Sequence, residues 1–325
     1  LNRELSRRFL YDMMLARQFE QAAADEYAQG NIGGFLHLYP GEEAVAVGSL
    51  HAADLGDYVV STYREHVHAL VRGIPAREVM AELFGKASGC SGGYGGSMHL
   101  FDHARRFLGG YAIVGETFPI ATGAAYWLKM NGASDVVLCF FGDGAANQGT
   151  FHECLNMAAL WRLPVVFICE NNHYQIGTEI HRHSAVAEIH RRACAYGMDS
   201  RCVDGMDVLA VHDATREALR HVRAGNGPYL LECETYRYRG HSMADPGSYR
   251  SALEVEELHT RDPVETFRAR ARSEGWVSAE ELETLEGQVR EAVDEAVRFA
   301  AQSPEPEALA DGVYHTPIDL YAGRP

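Results

Sequence analysis

Two short polar turns carry the side chains best suited to chemistry in this 325-residue chain, Gly142-Asp143-Gly144 and Glu170-Asn171-Asn172. Each ends a continuous apolar run, Val136 to Phe141 in the first case and Val165 to Cys169 in the second. Such runs are typical of strands covered on both faces, and a helical stretch with Phe151, Leu155, Ala158 and Ala159 on one side separates them. Strand, turn, helix and strand make a right-handed parallel unit, which places Asp143 and Asn172 at the carboxyl ends of strands in one sheet. A carboxylate oxygen and an amide oxygen that converge there select magnesium or calcium over zinc. A magnesium ion with open positions commonly holds a phosphorylated ligand. The glycines beside Asp143 let backbone N–H groups approach a diphosphate, and the following helix is expected to offer its positive end. The turns therefore predict a magnesium-diphosphate site.

Two other phosphate-binding readings fit less well. In Gly142-Asp143-Gly144-Ala145-Ala146-Asn147 the third glycine of a dinucleotide fingerprint is Asn147, and an acidic side chain would face the pyrophosphate without a metal. An NAD-binding oxidoreductase is thus the weaker alternative. Six of the thirteen residues from Gly85 to Ser97 are glycine, which predicts a loop, but Gly85-Lys86 is followed by Ala87 and preceded five places earlier by Met80. That spacing excludes a nucleoside-triphosphatase P-loop.

Further elements must position these groups. Apolar residues at every third or fourth place from Leu5 to Tyr27 predict an opening helix over 3–29, stopped by Gly30. A loop bearing His37 and a small-residue helix over 42–50 follow, then a strand within 57–62 that ends at Tyr63-Arg64-Glu65-His66. Residues 119–131 predict another helix, with one face of very small side chains. A strand over 229–235 leads into Tyr236-Arg237-Tyr238-Arg239-Gly240-His241-Ser242, so polar groups again follow a strand end. Beyond Arg250 the chain is charged and helical, with Leu282, Leu285, Val289, Ala292, Ala296 and Ala300 on one face, and the stretch from Ser303 to Pro325 reads as an extended arm. The expected fold class is α/β, a parallel sheet with helices on both faces, plus a C-terminal helical region and extended tail. Residues 1–250 form the diphosphate-binding domain in this reading, and 251–325 pack on it or on a partner subunit.

Composition narrows the partners. With 29 Lys and Arg against 45 Asp and Glu, the formal charge is −16, which opposes contact with nucleic acid. The apolar runs are too short to span a bilayer, so no membrane partner is expected. Seven cysteines occur without a C-x-x-C pair, which suits reduced thiols and a cytoplasmic location. A removed leader would instead place the protein in the mitochondrial matrix or a plastid.

Gly-Asp-Gly with Asn-Asn about thirty residues on is the thiamine diphosphate motif. Together with Phe35-Leu36-His37-Leu38-Tyr39, Thr62-Tyr63-Arg64, Gly96-Ser97-Met98-His99, the run Gly142 to Gly149 and the segment Tyr236 to Tyr249, it makes the chain resemble a known family. That family is the alpha subunits of the decarboxylating component of 2-oxo acid dehydrogenase complexes, and the pattern is most like pyruvate dehydrogenase. The resemblance implies thiamine diphosphate and Mg2+ as cofactors, with the metal held by Asp143, Asn172 and the backbone carbonyl of Tyr174. It implies that Tyr63 and Arg64 contact the cofactor, that backbone groups of Ala112 and Val114 meet its aminopyrimidine ring, and that Gly144 and Ala145 lie beside the diphosphate. Ala112 departs from the glycine usual at its position. His37 and His241 match histidines that bind substrate and handle the acyl intermediate.

The same resemblance implies partners. A beta subunit supplies the second half of the site and an activating glutamate in an alpha2beta2 heterotetramer, and the acyl group passes to the lipoyl group of a dihydrolipoyl acyltransferase core. The chain alone is then expected to be silent. The small-molecule substrate is a 2-oxo acid, pyruvate first, with acetoin or branched-chain 2-oxo acid dehydrogenases as the nearest rivals and a non-catalytic metal-diphosphate module as a more distant one. Ser242 and Ser248 lie where mitochondrial relatives are phosphorylated, although this chain is one residue shorter between Pro246 and Tyr249.

Overall fold

The computed structural model describes residues 3–307. Its strands are β1 (Tyr58–Thr62), β2 (Phe107–Tyr111), β3 (Val137–Gly142), β4 (Val165–Asn171), the two-residue pair β5 (Tyr174–Gln175) and β6 (Thr178–Glu179), β7 (Asp199–Asp204) and β8 (Tyr229–Glu234). Six of them form one sheet in the order β2-β1-β3-β4-β8-β7, every neighbour parallel, while β5 and β6 make a small antiparallel hairpin. Both central apolar runs are strands, and the register sets Gly142 opposite Glu170 and Asn171 opposite Glu234. The two polar turns therefore leave the sheet at the same edge.

Before the central strands come α1 (Arg3–Ala28), α2 (Glu43–Ala52), α3 (His66–Val71), α4 (Ala76–Leu83) and α5 (Thr117–Met130). After β3 follow α6 (Gly149–Leu160), α7 (Ile180–His183), α8 (Val208–Arg223), α9 (Ala252–His259), α10 (Pro263–Ser273) and α11 (Ala279–Gln302). The period-two alternation of a strand divides these helices between two layers. Val137, Cys139 and Phe141 pack with Phe118 and Ala121 of α5 and with Phe151 and Leu155 of α6. Leu138 and Phe140, one position out of phase, face the opposite way and join Phe9 and Met13 of α1, Val45 of α2 and Val211 of α8. The sheet is thus covered on both faces, as its unbroken apolar runs require.

Asp262 caps α10 with Pro263 in its first turn, and Ser278 and Glu281 form a reciprocal capping box on α11. Leu282, Leu285, Val289 and Ala296 then join the same core as α1 and α4. The extended arm expected from Ser303 lies, from position 308 onward, outside the described residues. No helix among the described residues is long and apolar enough to cross a membrane.

One expectation is corrected. The helix after Gly142-Asp143-Gly144 does not start at the turn. A 3-10 segment, Asp143–Asn147, intervenes, and α6 begins only at Gly149, so its positive end is displaced from the Asp143 corner. Gly144 and Ala145 bring their own short turn to the site instead.

Candidate active site

The strand order reverses between β1 and β3, the switch point at which open parallel sheets present a crevice beyond their carboxyl ends. A cavity of about 240 Å³ lies there. Its lining includes His37, Tyr63, Arg64, Ala112, Val114, Asp143, Gly144, Ala145, Asn172, Tyr174 and His241, so the positions expected to hold metal, cofactor and substrate come together.

One corner is acidic. Asp143 is buried, and its Oδ2 forms no hydrogen bond among the described residues, although Nε2 of His183 stands 3.2 Å from it. Asn172 donates through Nδ2 to Glu42 Oε1 at 3.0 Å, and its Oδ1 accepts from the backbone N–H of Tyr174 at 3.2 Å. The turn is tight, since His173 takes a φ of +66°. Glu42 Oε2 also has no hydrogen-bond partner among the described residues. Burial pushes the Glu42 carboxyl up to about 7 against the opposing pull of Arg64, whose Nε is 3.7 Å away. Beside Asp143, a Cβ on Gly142 would meet nothing within 4 Å, so the backbone borders open space. Unsatisfied buried oxygens around such a space fit a hard cation and the phosphate oxygens it would carry.

The other corner holds two imidazoles. The rings of His37 and His241 are 5.0 Å apart at 74°, and His37 also lies 4.5 Å from the Tyr63 ring. Burial, reinforced by the Arg64 charge, lowers His37 to about 3 and His241 to about 4, so both rings are neutral near pH 7. Neither Nδ1 has a hydrogen-bond partner among the described residues. Asp245 fixes the loop behind them, accepting from His241 N at 2.6 Å and from the Tyr249 hydroxyl at 2.8 Å.

Arg64 does something the sequence did not indicate. Its Nη1 donates to the carbonyl of Leu38 and its Nη2 to the carbonyl of His241 at 3.0 Å. Two guanidinium nitrogens thus tie the His37 loop to the His241 loop, while Arg64 also lines the cavity. A second tie lies at Gly41, whose φ is +104° and where a Cβ would sit 2.1 Å from the Tyr236 carbonyl oxygen. Thr235 Oγ1 donates to the Gly41 carbonyl, and Tyr238 N to that of Pro40.

Glu42, Glu170, His183 and Arg237 are further polar residues of this region that sequence reasoning assigned no role. Glu170 accepts from the Tyr39 hydroxyl and contacts His68 Nε2 at 3.0 Å. Its place at the end of an apolar strand was a usable signal. Glu42 at the start of α2 and His183 at the end of the short α7 carried none.

Comparison with known proteins decides the family. A family model described as "Dehydrogenase E1 component" matches residues 11–309. The chain belongs to the dehydrogenase E1 component family. Within that E1 family, the chain is 48% identical to the pyruvate dehydrogenase E1 component subunit alpha of Porphyra purpurea, over 91% of this chain and 88% of that one. It is also 48% identical to the protein of that name from Rhizobium meliloti (strain 1021), over 91% and 85% of the two chains. The chloroplastic subunit alpha-3 of Oryza sativa subsp. japonica is 46% identical, over 98% of this chain and 77% of its own. The E1 resemblance read from the motifs is therefore met over nearly the whole chain.

Proposed function

We propose that the chain is an alpha subunit that, with a beta subunit, oxidatively decarboxylates pyruvate and delivers the acetyl group to the lipoyl group of a dihydrolipoyl acyltransferase. The observation that carries this reading is the meeting of Asp143 and Asn172 with the neutral pair His37 and His241 in one cavity. Its substrate, pyruvate, rests on relatives at 44–48% identity that bear that name. Thiamine diphosphate, when bound, supplies the electron sink that lets the substrate carboxyl group leave as CO2.

This chain's residues would do the rest. Asp143, Asn172 and the Tyr174 carbonyl would hold Mg2+, and the backbone of Gly144 and Ala145 would border the diphosphate. Tyr63 and Arg64 would contact the cofactor, and backbone groups of Ala112 and Val114 would meet its aminopyrimidine ring. The positive charges of Arg64 and Arg237 favour an anionic 2-oxo acid beside the histidines. His37 and His241, uncharged and each with an Nδ1 unpaired among the described residues, can accept or donate a hydrogen bond at the reacting oxygen without an opposing proton equilibrium. Ile113 and Val114, 69% and 43% exposed at the cavity mouth, support a second subunit that covers this side.

In this reading residues 1–250 are the diphosphate-binding body and 251–325 pack on it or on the partner. Seven free thiols favour a reducing compartment, and the cytoplasm is the one proposed.

The test is co-expression with the candidate beta subunit, followed by acceptor reduction with pyruvate, acetoin and 3-methyl-2-oxobutanoate. Preference for pyruvate is expected, together with no turnover by the alpha chain alone. Equal or higher turnover of either other substrate would reassign the specificity.

A further inference from the structure

Away from the cavity, His190, Cys202 and Glu232 bring an imidazole nitrogen, a thiol sulfur and a carboxylate oxygen within 4.8 Å of one another. The fold builds this meeting. Cys202 on β7 and Glu232 on β8 are register partners in adjacent parallel strands, so their side chains rise side by side from one face. His190 reaches them from the 3-10 segment Ile189–Tyr196, which packs over both strands.

Glu232 is held in place from two directions. Its Oε1 accepts from Asn171 Nδ2 at 2.7 Å, and its Oε2 accepts from His190 N at 2.9 Å. His190 Nδ1 lies 2.7 Å from the same Oε2, a separation at which the two share a proton. Tetrahedral coordination with bonds of 2.0–2.3 Å sets neighbouring donors roughly 3.3–3.8 Å apart. A small opening of the His190–Glu232 contact would therefore admit an ion in place of that proton. Burial, then Glu232 and the further carboxylates of Glu234, Asp204 and Glu188, push the Cys202 thiol up to about 12. Without a cation the thiolate is disfavoured there, and a bound cation reverses that balance.

We propose that His190, Cys202 and Glu232 form a binding site for a divalent transition-metal ion, with zinc the fitting choice. A sulfur and nitrogen donor set favours zinc over magnesium, whereas the oxygen donors at Asp143 and Asn172 favour the reverse. Three protein ligands leave a fourth position for water, and the partly exposed His190 side chain leaves a route to it. Glu232 also grips Asn171, one residue before Asn172, so the site is tied to the strand end that leads into the main cavity.

The test titrates the full chain with Co2+ under reducing, anaerobic conditions in excess Mg2+, which occupies oxygen-donor sites. One equivalent should produce a thiolate-to-cobalt charge-transfer band that Zn2+ then abolishes. Cys202→Ser should remove the band, and His190→Ala should weaken cobalt binding more than tenfold. Cys194→Ser, at the exposed thiol nearby in sequence, should leave the band intact. Absence of the band in the unaltered chain, its survival in Cys202→Ser, its loss in Cys194→Ser, or unchanged affinity in His190→Ala would each overturn the proposal. None of these readouts depends on decarboxylation, so the result stands apart from the fate of the proposed activity.

Discussion

His37 and His241 meet edge to face, their ring centroids 5.0 Å apart, while Arg64 bonds the carbonyls of Leu38 and His241 from behind. Burial, reinforced by that cation, keeps both imidazoles unprotonated, so the pair offers hydrogen-bonding nitrogens rather than charge. His37→Gln or His241→Gln should lower kcat with a lipoyl acceptor about 10²- to 10⁴-fold with little change in melting temperature. A variant that keeps more than half the rate would remove that histidine from the chemistry. Both rings titrate lower in the folded chain than the ordinary 6.5. The stability they contribute is therefore present above about pH 6.5 and is lost as pH falls toward about 4 and then 3. Urea melts of the double variant between pH 4 and 7 should show a shallower acid loss than the parent.

Asp143 presents a buried oxygen with no hydrogen-bond partner among the described residues. Asp143→Asn keeps the shape and removes the charge. Thiamine diphosphate titrated calorimetrically in Mg2+ should bind at least about tenfold more weakly to the variant, the scale on which lost support at a metal site is felt. Chelation of the parent with EDTA should reproduce the defect. Equal affinity in parent and variant would end the metal assignment.

Glu65 is fully buried, and Leu100 N donates to its Oε1 at 3.1 Å. Burial pushes its carboxyl up to about 8, opposed by His66. A carboxyl raised in the folded state contributes stability below its unfolded value of about 4.5 and loses it as pH climbs through about 8. Glu65→Gln should abolish that alkaline loss and gain roughly 1–3 kcal/mol on the parent between pH 5 and 8.5. Parallel denaturation curves at those two pH values provide the check, and an unchanged difference would show that Glu65 ionises at its usual value.

Glu82 gathers four backbone amides of the glycine-rich loop. Ser91 N and Gly93 N donate to one oxygen, Gly95 N and Gly96 N to the other, at 2.7–3.1 Å. Glu82→Ala leaves those donors without their acceptor and should cost about 2–4 kcal/mol. Faster amide exchange confined to residues 85–97 is the expected signature. Exchange unchanged in that loop would show that its glycines hold it without the carboxylate.

Asp143 and Asn172 were legible because each follows a strand buried along nearly its whole length and stops at a turn residue. The opening helix, α5, α6 and the two central strands were readable from apolar spacing for the same reason. The edge strands were not. β2 is Phe-Leu-Gly-Gly-Tyr, where two glycines erase the pattern, and β7 is Asp-Ser-Arg-Cys-Val-Asp, whose polar positions reflect one open edge. By contrast α8, capped by Asp207 and apolar at every third or fourth place, is legible in hindsight. Glu42 reaches the cavity, and His183 the side of Asp143, through tertiary folding alone. The commitment of Arg64 to two carbonyls depends on where the Leu38 and His241 loops finish, which no local pattern encodes.

The Gly41 contact has a consequence for biosynthesis. Thr235 and Gly41 are joined across 194 positions of chain, so the pocket wall formed by the histidine loops closes only after most of the polypeptide has emerged. Loop closure over that span is slow relative to local helix formation. During translation the early segment carrying Leu36 and Leu38 must wait with its apolar side chains unburied, which makes this interval the one in which a chaperone would matter most.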